Sequence, residues 1–217
     1  RRPPRSTLFP YTTLFRSVVN YLDYNLSMPP SINNGLIVYG HPRTYKGTSD
    51  VLYHNNGDNT FTNIAEKAGV TNPVEGRGMG AVACDFDNDG WPDIYVANDT
   101  NRNFYYHNNG DNTFTDESLF NGTGYDANGI AEGSMGVDAG DYNRDGWLDL
   151  LVANSETATL YSNDQNAVFI EKTAAIGLSD PTFQFVGFSP LFLDYDNDGY
   201  LDICIATGHP QAAIEDL

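Results

Sequence analysis

The sequence predicts an all-β protein: a fragment of a β-propeller with four-stranded blades, two of them complete and two partial. Three observations predict it. An Asp-rich window recurs three times, an aromatic hairpin segment recurs in step with it, and short strand-like runs fill the repeat without any helical periodicity.

The windows set the period. Residues 85–98 read DFDNDGWPDIYVAN, residues 141–154 read DYNRDGWLDLLVAN, and residues 194–207 read DYDNDGYLDICIAT. Their starts lie 56 and 53 residues apart. The hairpin segment YHNNGDNTFT stands at residues 53–62 and again at 106–115, with a looser copy, YSNDQNAVFI, at 161–170. Both elements therefore belong to one repeat of about 55 residues.

Each repeat reads as four strands. The first is small and apolar, as in residues 80–83 (GAVA) and 136–139 (GVDA), which suits a crowded inner position. The Asp loop follows. A near-continuous apolar run comes next (94–97, 150–153 and 203–206), the pattern of a strand covered on both faces. The last two strands form a hairpin, and Asn56-Gly57 and Asn109-Gly110 predict tight two-residue turns there. Complete sets are expected at about residues 78–116 and 134–171.

The two ends differ. Residues 7–17, TLFPYTTLFRS, are similar residue for residue to the in-frame translation of a common short-read sequencing adapter. Residues 1–17 are accordingly set outside the fold, as a non-native segment, and 18–217 are read as the partial propeller. Val18-Val19-Asn20 resembles the VAN that closes two of the windows, so the repeat is entered midway. Residues 21–50, with Pro29-Pro30 and Asn33-Asn34-Gly35, form a long irregular insertion before the next hairpin.

Charge narrows the partners. The 217 residues carry 29 acidic against 11 basic side chains, a net charge of −18, which opposes nucleic acid. No apolar run approaches the roughly 18 residues of a membrane helix, so no membrane insertion is expected. Eleven of the acids crowd into the three Asp windows, a density that a cation would neutralise. Cys84 and Cys204 adjoin or lie in apolar runs and read as small buried hydrophobes.

The windows carry the chemistry. The spacing D-x-[DN]-x-D-G-x-x-D puts side-chain oxygens at positions 1, 3, 5 and 9, with the position 7 carbonyl as a further ligand. The first loop offers Asp85, Asp87, Asp89, Trp91 and Asp93; the second offers Asp141, Asn143, Asp145, Trp147 and Asp149; the third offers Asp194, Asp196, Asp198, Tyr200 and Asp202. Hard oxygens in that number suit Ca2+, which takes six to eight of them, giving about three calcium sites. Gly90, Gly146 and Gly199 at position 6 permit the sharp turn. An EF-hand would need Glu at position 12 between two helices; Val96, Val152 and Ile205 stand there instead. Zinc would want His or Cys, and none sits within the windows.

These windows, with the YHNNGDNTFT hairpins, residues 64–70 (IAEKAGV) and residues 133–141 (GSMGVDAGD), resemble FG-GAP and VCBS repeats of integrin-like propellers. More closely they are similar to the cartilage-acidic-protein-like family. That resemblance implies an extracellular or periplasmic propeller with calcium in each Asp loop. Residues 185–190 (FVGFSP) only approximate the FG-GAP motif itself.

The expected function is a non-enzymatic binding or adhesion module for a protein or glycan partner. The alternative is a propeller-based carbohydrate-active enzyme, a glycosidase or lyase, which would need a paired acid and base. Asp138, an acid on an inner strand, is expected to support the nearby loop instead. His54 and His107 share one repeat position and read as structural. His41 and His209 share Gly-His-Pro in loops after a second strand, and a ligand contact is the lesser expectation for them.

Overall fold

In the computed structural model, which describes residues 15–23, 28, 31–33, 36–38, 40–71, 76–183 and 185–208, each repeat builds one antiparallel sheet. Strand β1 (Phe15–Val18) is the first among the described residues. Next, β2 (Leu22–Asp23), β3 (Ser31–Asn33), β4 (Leu36–Val38) and β5 (Lys46–Gly47) form two small ladders, β2 with β5 and β3 with β4. The insertion is thus locally ordered rather than irregular, although residues 24–27, 29–30, 34–35 and 39 lie outside the described residues. Alternation of apolar and polar residues is too short there to announce a strand.

Strands β6 (Val51–Asn55) and β7 (Phe61–Asn63) join β1 in a three-stranded sheet. The first complete blade holds β8 (Gly78–Cys84), β9 (Asp93–Asn98), β10 (Phe104–Asn108) and β11 (Phe114–Asp116), paired in chain order. The second holds β12 (Ser134–Gly140), β13 (Asp149–Asn154), β14 (Thr159–Asn163) and β15 (Phe169–Glu171). Strands β16 (Val186–Leu193) and β17 (Asp202–Gly208) supply the inner half of another. Both complete sets fall at the expected residues, and the fold is that of a propeller fragment.

Blades stack face to face, and β9 shows how. Its alternate residues Ile94 and Val96 pack toward the preceding blade with Leu52, Phe104 and Tyr106. Tyr95 and Ala97 pack the other way, with Phe86, Tyr105, Leu150, Val152, Tyr161 and Phe169. Every residue of β9 and β13 is buried, as a strand covered on both faces demands. Tyr105, Phe86 and Phe169 meet at ring-centroid distances of 5.8–5.9 Å, one pair edge-on. Strand β17 departs from the expectation of double cover: its residues are exposed or half-buried, because no neighbouring blade covers it among the described residues. Cys204 is exposed for the same reason, while Cys84 is half-buried, its thiol pushed up to about 11 by burial; both are free.

The inner strands converge as wedges must. A Cβ on Gly80 would lie 2.8 Å from the Met135 carbonyl oxygen, and one on Gly136 would collide with the Phe188 carbonyl oxygen. Only glycine lets β8, β12 and β16 approach backbone to backbone.

Two boundaries differ from the sequence reading. The hairpin loops run over five residues: Asn109 N–H bonds Thr113 O at 3.0 Å, and positive φ falls at Gly110 and Asn112 rather than at an adjacent pair. Asp111 takes the intervening place and accepts from Thr113 N–H at 3.0 Å, a side-chain bond that lengthens the turn. Strand β1 straddles the 17/18 boundary. Its register sets Arg16 opposite Tyr53 and Val18 opposite Val51, as Ile94 faces Tyr106 and Val96 faces Phe104. Val18-Val19-Asn20 therefore occupies the expected VAN place, and residues 15–17 take the places of Asp93, Ile94 and Tyr95.

Candidate metal centre

Each Asp loop links the inner strand of its sheet to the next strand. The loop is shaped by its own carboxylates. Asp89 N–H bonds both Asp85 Oδ1 and Asp87 Oδ1 at 3.1 Å, Gly90 N–H bonds Asp85 Oδ2 at 3.0 Å, and Trp91 N–H bonds Asp89 Oδ1 at 2.7 Å. The second loop repeats the set: Asp145 N–H to Asp141 and Asn143 at 3.0 Å, Gly146 N–H to Asp141 at 2.9 Å, Trp147 N–H to Asp145 at 2.9 Å. So does the third, through Asp198, Gly199 and Tyr200 onto Asp194, Asp196 and Asp198, at 2.8–3.2 Å. Gly90, Gly146 and Gly199 have φ of 99°, 94° and 86°, as their position 6 role requires. Position 4 is left-handed too, at Asn88, Arg144 and Asn197 (φ 60–64°). Asn tolerates that conformation; Arg144 does so at some cost.

These bonds turn the odd-numbered carboxylates toward one another. Asp85, Asp87 and Asp89 bring one oxygen each within 4.8 Å of the others, and Asp194, Asp196 and Asp202 do the same. In the second loop Asn143 takes position 3, and its amide N–H bonds Asp145 Oδ2 at 2.8 Å. Arg144 of the second loop lays its guanidinium over the Tyr200 ring at 4.9 Å. Its charge therefore lies between the second and third loops.

Position 9 has a second task. Asp93 is fully buried, with Oδ1 accepting from Asn108 N–H at 2.9 Å and Oδ2 from the Tyr105 hydroxyl at 2.6 Å. Asp149 is likewise buried and accepts from Asn163 N–H at 2.8 Å and Tyr142 N–H at 3.1 Å. Burial pushes both carboxyls up to about 6, against the pull of these donors. Asp202 is exposed and accepts only from Tyr195 N–H, at 2.9 Å, among the described residues. Asp85 is also raised, first by burial.

The Asp-window spacing does not single out the hairpin residues that support it. Asn108 and Asn163 brace the loops, their amides reaching Pro92 O and Leu148 O at 3.0 and 3.1 Å. Asn163 also reaches Phe86 O of the preceding blade at 2.8 Å. A signal for them exists: Asn55, Asn108 and Asn163 recur at one repeat position. His107, read as merely structural, sets its Nδ1 3.3 Å from Asp87 Oδ2 and 3.2 Å from Asp93 Oδ1. Asp138, expected to support a loop, accepts instead from Phe192 N–H at 2.8 Å and ties β12 to β16. His41 accepts from Arg43 N–H at 3.2 Å, capping a short turn; His209 lies outside the described residues.

The donors fit a hard cation: carboxylate oxygens converge in the first and third loops, and the second repeats their backbone scaffold with Asn143 at position 3. Repeating blades that each present such a loop define a class, the FG-GAP-like repeat proteins. The FG-GAP-like repeat model matches residues 37–96, 85–152 and 141–205, and the chain belongs to that family. It is similar to Cartilage acidic protein 1 of Xenopus tropicalis, 29% identical over 152 residues, which cover 66% of this chain and 21% of that protein. The chain thus spans about a fifth of that relative's length.

Proposed function

We propose that this chain is part of an extracellular calcium-binding propeller that acts as a protein or glycan binding module. The observation that carries the reading is the shared scaffold of the three Asp loops. The same backbone N–H groups hold the side chains at the same loop positions in each, and in the first and third loops three carboxylates cluster. Calcium, when bound, would supply positive charge that offsets self-repulsion and ties each loop to its blade. Asp85, Asp87, Asp89 and Asp93, with their counterparts in the other two loops, would hold it, and the carbonyls of Trp91, Trp147 and Tyr200 would add to the set.

The name of the cartilage relative supports an extracellular setting. No helix among the described residues is long and apolar enough to cross a membrane. The loop edge is built the same way three times, and a strongly acidic chain (−18 overall) disfavours polyanions as partners and favours neutral glycans or basic protein patches.

Melting in calcium and in chelator, followed by a glycan array and a panel of matrix proteins under both conditions, tests this. Calcium should raise the melting temperature, and partner binding should fall in chelator. A melting temperature indifferent to calcium would remove the metal reading, and calcium-independent turnover of a glycan would replace the module with an enzyme.

A further inference from the structure

Among the described residues the first loop holds a donor that the other two lack. We propose that it also binds a zinc-class divalent cation through His107 Nδ1, Asp87 and Asp93, a site that rests on the metal-loop reading above and deepens it.

The three donors come from three chain segments: loop position 3, the first residue of β9, and β10. Their atoms lie within 4.8 Å of one another. The imidazole Nδ1 stands 3.3 Å from Asp87 Oδ2 and 3.2 Å from Asp93 Oδ1. Two ligands each about 2.0 Å from a tetrahedral zinc lie about 3.3 Å apart, the spacing that both carboxylates keep from the imidazole. Asp93 is held for the purpose: Asn108 N–H and the Tyr105 hydroxyl fix its two oxygens from behind. The His107 side chain is 24% exposed and that of Asp87 17%, which leaves a solvent-facing fourth position.

Chemistry separates this site from its neighbours. Calcium takes oxygen, whereas imidazole nitrogen suits zinc, copper and nickel. In the second loop Ser162 occupies the hairpin position of His107, beside Asp149, and offers no nitrogen. The third loop has no hairpin over it among the described residues. Asp87 belongs also to the oxygen cluster of Asp85 and Asp89, and Asp93 to the proposed calcium set, so the two ions compete for this loop.

The test uses the full chain, freed of metal, titrated with zinc by calorimetry and with cobalt in the visible, where tetrahedral cobalt absorbs strongly. The expected result is an uptake of zinc that His107→Ser weakens at least about tenfold, or about 1.4 kcal/mol, with loss of the cobalt band while calcium stabilisation persists. Serine at this place is already accommodated in the next blade, so the variant should fold; Asp87→Asn, a second variant, should weaken both metals. Zinc affinity indifferent to His107→Ser, or calcium stabilisation without zinc binding, overturns the proposal alone. Indifference of the wild-type chain to both metals overturns it together with the calcium reading.

Discussion

Replacing Asp149 by Asn should be nearly silent without metal and costly with it. Asp149 is fully buried, and burial pushes its carboxyl up to about 6 from a usual 3.8. A shift of that size makes the bare carboxylate unfavourable at neutral pH by about 3 kcal/mol. Asp149→Asn relieves that charge but sacrifices a bond. The carboxylate accepts from both Tyr142 N–H and Asn163 N–H, whereas an amide accepts one and loses the other, at about 1–3 kcal/mol. The two effects nearly cancel, so in chelator the variant should match wild type within about 1 kcal/mol. Calcium at about a thousand times its Kd would stabilise wild type by about 4 kcal/mol, and a tenfold to hundredfold weaker site would give about 1–3 kcal/mol instead. At roughly 2–4 °C per kcal/mol for a chain of this size, the calcium-induced rise in Tm should shrink by about 3–10 °C. Differential scanning calorimetry in calcium and in chelator measures both arms. The sign of the pH effect is a further check: a raised carboxyl stabilises below its unfolded pKa, so chelated wild type should lose stability from about pH 4 to 6 and the variant should lose less, since Asp93 and Glu132 still contribute. An equal loss in both conditions would show that Asp149 is only a structural anchor.

Three other outcomes follow. The second loop should bind calcium about tenfold more weakly than the first, because Asn143 replaces a carboxylate; titration of variants carrying one intact loop each checks the ranking, and equal affinities would mean that loop geometry outweighs charge. Glu132, half-buried and bonded by the Thr159 hydroxyl at 2.9 Å, has its carboxyl pushed up to about 7, first by burial; unfolding free energy should fall as pH rises from about 4.5 to 7, and Glu132→Gln should flatten that slope by about 1–3 kcal/mol in denaturant titrations. Gln165 is left-handed (φ 73°) where the preceding hairpin has Gly110 (φ 76°), so Gln165→Gly should stabilise by about 1 kcal/mol, and a loss in Tm would show that its side chain matters more than its backbone.

What the sequence discloses follows from what repeats. Strand positions, the Asp loops and both complete blades are legible because their signals recur in register and each copy checks the others. The position 6 glycines are legible one residue at a time, since only glycine adopts φ near 90° without strain. Contacts between repeats are not. Asp138 reaches Phe192 N–H, 54 residues away, and nothing in the spacing announces a bond between inner strands of adjacent blades. His107 escapes for a related reason: its place beside a hairpin turn is a local fact, while its approach to Asp87 and Asp93 depends on the hairpin folding back over the loop. Hairpin length escapes because Asn-Gly signals a positive φ but does not say which residue closes the turn, and Asp111 closes it later.

Strand β1 separates backbone from side-chain information. Residues 15–17 carry no trace of the repeat, yet they pair with β6 in the register that β9 keeps with β10. Pairing of this kind needs only N–H and C=O groups, which any residue but proline supplies. Side chains tell another story. At the equivalent places β9 has Asp93, Ile94 and Tyr95, all buried, and β13 has Asp149, Leu150 and Leu151, buried too. Phe15, Arg16 and Ser17 match none of these in charge or size, and Phe15 in particular brings no carboxylate to position 9. A strand accepted on backbone grounds alone leaves that sheet with neither an anchor for an Asp loop nor an apolar residue at the Ile94 place. The ladder at residues 15–17 therefore records backbone pairing alone, and the side chains that β9 and β13 carry at these places are not repeated there.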